Sequence, residues 1–276
     1  MKRIAVLITC HNRKIKTMAC LKSLFQCTLP AEHSIEVFLV DDGSTDGTSN
    51  AIKENFSQVR IISGSGNLYW NRGMHLAWKT AAENDFDYYL WLNDDTYIFK
   101  DTLLVLLSTA NSTENISIII ATTCTASGVI TYGGRDLKHK LIHPQKVPTQ
   151  VAILNGNCVL VPNYVYQKLG NLDPLFHHAI GDFDYGLRAG RLGIKLFIAP
   201  GFLANCELNE SIPQWRSSSV PLLKRIVSLY SPAGRCNPKE LFHYDLRHAN
   251  IFIAVMHLFS LHLRMLIPGL WTKYIK

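Results

Sequence analysis

The stretch Tyr88–Phe99, YYLWLNDDTYIF, sets two adjacent acids, Asp94 and Asp95, at the end of an apolar run. YYLWL has the composition of a strand buried on both faces. Two neighbouring carboxylates repel unless a cation or hydrogen-bond donors neutralise them. A strand ending this way points to a bound cation, or to acids that cap and turn the chain. The pattern also stands upstream, where IEVFLV (Ile35–Val40) runs into Asp41 and Asp42 of the turn-rich DDGSTDGT.

Reading outward, IAVLIT (Ile4–Thr9), IEVFLV, VRIISG and DYYLWLNDD are strands. Between them KTMACLKSLFQC, TSNAIKENF and GMHLAWKTAAEN space their apolar residues as helices do. Strand–helix alternation predicts a parallel sheet covered by helices. DTLLVLLSTAN continues as a helix and ISIIIATTC as a strand. NCVLVP and KLFIAP are further strands, with the helix FDYGLRAGRLG between them. Ligands of open parallel sheets collect at the carboxyl ends of the strands, where both acid pairs fall.

A chain of 276 residues, 47% hydrophobic, suits one large α/β domain with an extension. The apolar run in MKRIAVLITCHNRK is too short for a signal peptide and reads as the first strand. Seven cysteines without a CxxC pair fit free thiols in a reducing compartment, not a disulfide framework or a zinc site. The net charge of +7 is uneven: Val220–Lys276 holds eight Lys/Arg against two Asp/Glu, a net of +6. A uniformly basic face for nucleic acid is therefore excluded. Ala249–Trp271 is mostly apolar, so the basic tail points to a membrane surface. Arg264, His257, His262 and Pro268 argue against a membrane span. Trp271, Lys273, Tyr274 and Lys276 suit an interface. Two readings stand for this segment: an interfacial helix, or a helix packed on the preceding domain.

Four segments, VLITCHNR, VDDGSTDGT, LWLNDD and AIGDFDYGLRAGRLG, together resemble the family 2 glycosyltransferases of GT-A fold, in the family's order. YDLRHAN is similar to the segment leading into C-terminal helices of bacterial relatives. The resemblance implies an α/β fold with a Rossmann-like, mostly parallel central sheet flanked by helices. Residues 1–210 would form the catalytic domain, with a nucleotide-sugar-binding half (1–100) and an acceptor-side half (101–210). Residues 211–276 would form a mostly helical, basic and apolar extension. The implied reaction is inverting transfer of a sugar from a nucleotide diphosphate sugar to a hydroxyl of a glycan acceptor. UDP-sugars are the default donors and dTDP-rhamnose the next. The implied acceptor is lipid-linked, as in O-antigen or capsule synthesis. The implied setting is cytoplasmic and peripheral at the inner face of the cell membrane, with Mg2+ or Mn2+ as cofactor and no nucleic-acid partner.

Carried onto this sequence, the resemblance makes Asp95 the metal ligand and sets Asp94 on ribose or on water-bridged metal. Asp42 accepts a hydrogen bond from the base, in a pocket lined by Thr9 and Asn12. Arg13 approaches a phosphate or stays a solvated loop residue. Asp182 is the general base. Asp184 orients Arg188 or a sugar hydroxyl, or serves as a first-turn helix acid. In GSGNLYWNRGMHLAW, Asn67 and Trp70 are donor-side contacts and Gly73 a point of close packing. Tyr69 and Trp70 have a second reading as core aromatics. Asn155 and Asn157 bond acceptor hydroxyls or make turns. Two positions depart from the family pattern. Gly181 stands where many relatives have Glu before the base, and Cys206 where many have a metal-side histidine. A thiolate suits Mg2+ poorly, so Cys206 is structural, or the metal is held by Asp95, phosphates and water. A nucleotidyltransferase is the alternative enzyme, but TCHNRKIKT lacks the glycines of its phosphate loop. A non-catalytic sugar- or membrane-binding module is the third reading, and the presence of both Asp95 and Asp182 counts against it.

Overall fold

The computed structural model describes residues 1–208, 213–234 and 236–270. The chain begins β1 (Lys2–Cys10), α1 (Lys14–Phe25), β2 (His33–Asp41), α2 (Thr48–Asn55), β3 (Arg60–Ser63), α3 (Tyr69–Ala81), β4 (Tyr88–Leu92). These are the predicted strands and helices in the predicted order. β3, β2, β1 and β4 lie side by side and parallel, with Ile4 of β1 opposite Ile35 of β2 and Tyr88 of β4.

The second half adds β5 (Tyr97–Ile98), α4 (Thr102–Ser112), β6 (Ile118–Cys124), β7 (Gly134–Arg135), β8 (Thr149–Val151), β9 (Ile153–Leu154) and β10 (Cys158–Pro162). It continues with α5 (Asn163–Leu169), α6 (Gly181–Arg191) and β11 (Leu196–Asn205). The main sheet has nine strands, in the order β3-β2-β1-β4-β10-β6-β11-β5, with β8 beside β11. NCVLVP, a further strand by sequence, forms β10 and runs antiparallel to both β4 and β6. An apolar run buried on both faces carries no mark of its direction.

Side chains alternate across the sheet, as the two-residue strand period requires. Ile4, Val6 and Ile8 of β1 enter one core layer with α1 and α4, while Ala5 and Leu7 enter the other with α3 and α6. Within the second layer Trp91 meets Trp78 and Tyr185 edge-on, and Trp78 lies tilted against Tyr185. Gly73 is the predicted close approach: a Cβ there would overlap the Thr9 side chain, so α3 lies on β1 only because position 73 has none.

After β11 come α7 (Leu222–Tyr230), α8 (Pro238–His248) and α9 (Ile251–Leu266). Asn237 and Asn250 cap α8 and α9 by accepting from Lys239 N (3.0 Å) and Ile253 N (3.0 Å). Trp215, Leu229, Leu261 and Met265 form a small separate core. Among the described residues no helix is long and apolar enough to cross a membrane. Trp271, Lys273, Tyr274 and Lys276 lie outside the described residues.

Candidate active site

Topology brings the chemistry to one edge of the sheet. β1, β2 and β4 end there in parallel, delivering Thr9–Arg13, Asp41–Asp42 and Asn93–Asp95. Antiparallel β10 begins where β4 ends, with Cys158 opposite Leu92, so Asn93 N reaches Asn157 O at 2.9 Å. β11 ends beside β6 and brings Cys206 to the same edge. These segments enclose a cavity of about 540 Å³, within the usual range for small-molecule sites.

At one end lie the acids of the opening stretch. Asp94 is buried and Asp95 half-buried. Arg13 forks between them, Nη1 donating to Asp94 Oδ1 at 2.7 Å and Nη2 to Asp95 Oδ2 at 2.7 Å. Burial pushes the Asp94 carboxyl up to about 7, against the pull of Arg13 and with the repulsion of Asp95. Cys206 Sγ is 3.8 Å from Asp95 Oδ1 and accepts from Asn157 Nδ2 at 3.5 Å. Burial holds this thiol up at about 11, so at neutral pH it is a protonated neighbour of the acids and not a soft thiolate ligand.

These groups fit a divalent cation only in part. Among the described residues no group of three or more His, Cys, Asp or Glu is placed to hold one. Two hard carboxylates facing a cavity suit Mg2+ or Mn2+ when phosphates and water supply the remaining ligands. The position also has to be cleared of the Arg13 guanidinium.

At the other end stands Asp182, half-buried in the first turn of α6. Its Oδ2 accepts from Gly156 N and its Oδ1 from Phe183 N, both at 2.9 Å. Burial raises the carboxyl to about 6 in spite of these donors and nearby Arg135. A carboxylate near its pKa at neutral pH is suited to proton transfer. Arg135 Nε donates to Asn155 Oδ1 at 3.0 Å and Nη1 to His139 O at 2.8 Å. Trp70 spans the middle, its Nε1 donating to Asn93 Oδ1 at 2.6 Å. Its ring lies against Gly156, where a Cβ would collide with it.

Of the residues named from sequence, Thr9, Arg13, Asp42, Trp70, Asp94, Asp95, Asn155, Asn157 and Asp182 line the cavity. Asp42 is largely engaged already: Oδ1 accepts from Gly66 N at 2.7 Å, and Oδ2 from Leu68 N and Tyr69 N at 2.8 and 3.0 Å. A carboxylate offers about four acceptor directions, which leaves roughly one on Oδ1 for a ligand N–H.

Four named residues lie elsewhere. Asn12 has φ of 51° and ties β1 to the acid turn, its Oδ1 accepting from Thr45 N at 2.7 Å. Asn67 is exposed in the loop before α3. Asp184 and Arg188 sit behind α6, because residues two apart on a helix point about 200° apart. Asp184 is 0% exposed and accepts from Arg188 Nε (2.8 Å), Arg247 Nη1 (2.7 Å) and His248 Nε2 (2.9 Å). It docks α8 onto α6. Burial pushes its carboxyl up, but the hydrogen bond with His248 and the two arginines outweigh that and hold it below the usual range.

Sequence reasoning missed other parts of the wall. Tyr69, Tyr132, Arg135, His178, Ile180 and Phe183 line the cavity. Arg135 follows a glycine pair at the end of the two-residue strand β7, and nothing local marks it. The wall segment 173–180 is pinned from two sides. Asn71 Nδ2 donates to Asp173 O and Phe176 O (both 2.8 Å), and Arg72 Nε to Pro174 O (2.8 Å). From α8, Glu240 holds His177 Nδ1 at 2.7 Å, and Arg247 Nη2 reaches Asp173 at 2.7 Å. The segment ends at Ile180, whose φ of 59° is strained for a β-branched residue. Gly181 follows because any Cβ there would overlap the Asn71 amide. Any larger side chain at this position would meet the same amide.

The sequence profile described as "Glycosyl transferase family 2" matches residues 5–170. No curated protein matches the chain in sequence. Among solved structures, S. aureus TarS superposes with a TM-score of 0.58 at 14% identity, over 99% of this chain and 53% of TarS. The chain thus spans about half the length of that relative. TarS 1–349 in complex with UDP gives 0.56 at 14% identity, covering 94% of this chain and 72% of the other. Its UDP-GlcNAc complex gives 0.56 at 15%, covering 94% and 73%. At these identities the likeness is one of fold.

Proposed function

The chain belongs to glycosyl transferase family 2, and from that premise we propose that it is an inverting glycosyltransferase acting on a nucleotide diphosphate sugar. The observation that carries this reading is the two-ended cavity: a paired acid and arginine site at one end, a raised carboxyl on a helix start at the other. The nucleoside lies toward Thr9 and Asp42, with the diphosphate over Asp95 and Arg13. Asp95, with Asp94 behind it, would hold Mg2+ or Mn2+, and such a cation offsets the charge of the leaving diphosphate. Asp182 takes the proton of the acceptor hydroxyl as that oxygen attacks the anomeric carbon. One base and direct displacement give inversion. Trp70 and Asn155 border the space between the two ends, where the transferred sugar sits.

UDP-linked hexoses or N-acetylhexosamines are the favoured donors, in line with the UDP and UDP-GlcNAc complexes of TarS; dTDP-rhamnose is the second candidate. The acceptor is a glycan, and we place it on a lipid carrier at a membrane surface in polysaccharide synthesis. Apolar exposure on the extension supports that placement. Phe252, Val255, Met256 and Phe259 form one stripe on α9, 82% to 52% exposed, and Leu223 and Val227 face out from α7. The charge argument weakens: Arg247 is engaged by Asp184 and Asp173, and Arg225 by the carbonyls of Met265 and Leu266.

A thermal-shift panel of UDP, dTDP and their sugars with Mn2+ tests the reading, since a ligand of the folded state raises the melting temperature. One nucleotide diphosphate class should stabilise the protein, and its sugar should be released or transferred. Stabilisation by nucleoside triphosphates alone, with pyrophosphate released from the triphosphate as a sugar phosphate joins its α-phosphorus to give the nucleotide sugar, would establish the nucleotidyltransferase instead.

A further inference from the structure

The acid pair that would receive a cation already holds one, the guanidinium of Arg13. Its two nitrogens reach two different carboxylates at 2.7 Å each, a fork that the geometry of arginine allows and a lysine ammonium does not reproduce. The backbone of Arg13 is fixed, its carbonyl accepting from Thr17 N (2.9 Å) and Thr17 Oγ1 (3.1 Å) at the start of α1. The side chain is 39% exposed and flanks the cavity, so it has solvent to move into. Arg135, the other arginine of the cavity wall, is tied to Asn155 and His139 beside Asp182.

We propose that Arg13 occupies the cation position of Asp94 and Asp95 in the resting protein, so that a divalent cation binds only together with a nucleoside diphosphate that draws Arg13 away. This rests on the nucleotide-sugar reading given above. A lone divalent cation must displace two charge-assisted hydrogen bonds to reach the carboxylates. A diphosphate changes the balance in two ways. It adds oxygen ligands for the cation, and it offers the guanidinium a second anionic partner of matching geometry. Arg13 thereby passes from the carboxylates to the phosphates, and metal and donor load as a unit. The consequence is a site that stays closed to free cation.

The test is Mn2+ binding, followed by electron paramagnetic resonance and calorimetry, on the full chain and on Arg13→Gln and Arg13→Ala, each with and without UDP or dTDP. Circular dichroism confirms folding, and the second variant serves if the first is unfolded. The wild type should bind Mn2+ weakly alone and tightly with the nucleotide. The variants should bind Mn2+ alone about tenfold or more tighter than wild type, and adding Asp95→Ala should remove that gain. Equal affinity of wild type and variants for Mn2+ alone, with tight ternary binding retained, would overturn the proposal and leave the donor reading standing. Nucleotide binding that ignores Mn2+ but collapses in Arg13→Gln would also overturn it, making Arg13 the permanent phosphate cation. Failure of every variant and the wild type to bind Mn2+ with either nucleotide, and of either nucleotide to bind at all, would sink the donor reading and this proposal with it.

Discussion

Asp182 and Asp184 stand two residues apart in one helix, and replacing each with Asn should damage different properties. Asp184 is fully buried among Arg188, Arg247 and His248. An Asn there leaves Arg188 without its carboxylate and Arg247 with Asp173 alone, and breaking a buried pair in this way costs about 3–5 kcal/mol. Arg188 and Arg247 are 21% and 30% exposed, which favours the lower end. At roughly 2–4 °C per kcal/mol, the melting temperature should fall by about 6–20 °C. Because partners hold the Asp184 carboxyl low, its stabilisation is present above the unfolded value of about 3.9 and is lost as pH falls through the folded value. Asp184→Asn should lack that acid-sensitive component. Asp182 has the opposite sign. Its carboxyl rises from 3.8 to about 6, so ionisation at neutral pH opposes folding. Asp182→Asn removes that cost but turns its NH2 toward one of the two backbone N–H groups the carboxylate accepts from, so its stability should stay close to that of wild type. Transfer should fall by roughly 10²–10⁴-fold through loss of the base, with donor affinity nearly unchanged. The wild-type rate should rise with pH through about 6, as the base loses its proton. Thermal denaturation from pH 3 to 8, calorimetry of the donor and turnover with a matched acceptor read all of this. A stable, inactive Asp184→Asn beside an active Asp182→Asn would refute the reasoning and exchange the two roles.

Asp95→Ala should weaken UDP or dTDP binding in Mn2+ by tenfold or more in calorimetry; unchanged affinity would remove Asp95 from the phosphate end. Gly181→Ala forces a methyl into the Asn71 amide and should cost about 1–3 kcal/mol in urea denaturation; an unmoved midpoint would mean that segment 173–180 shifts freely. Phe252→Ser with Phe259→Ser should reduce flotation with anionic liposomes without lowering the melting temperature, both rings being exposed; a wild-type chain that never floats at low salt would end the membrane reading.

Much of this molecule is written in local pattern. Apolar runs ending in acids gave β2 and β4, helical spacing gave α1 and α3, and the overlap a Cβ would make at Gly73 agrees with the packing role read for it. What escaped lies where a residue's partner is remote in sequence or where local pattern has two outcomes. The apolar run of β10 has no direction of its own. Arg13 reads as a loop arginine until β4 brings its acids alongside, 81 and 82 residues away. Asp184 looks like a second site acid until Arg247, 63 residues on, fixes which face of α6 it serves.

The two faces of α6 also change how the C-terminal helices relate to the site. One face carries Asp182 into the cavity and the other carries Asp184 to Arg247 of α8. From its other end, α8 holds His177 through Glu240, and Arg247 also reaches Asp173. One helix of the extension therefore grips the wall segment 173–180 near both ends and the helix that bears the proposed base. Helix α9 is placed differently: Leu261 and Met265 enter the small core of the extension, and its apolar stripe faces out. Removing the chain from Ala249 onward strips the surface assigned to the membrane while sparing Glu240 and Arg247. Removing it from Val220 onward also takes the clasp, stripping Arg247 and His248 from Asp184 and leaving Arg188 as its ion-pair partner. The basic character that reads in sequence as a membrane signal is thus partly an internal brace, and the exposed apolar stripe and the clasp on the site lie on different helices of one extension.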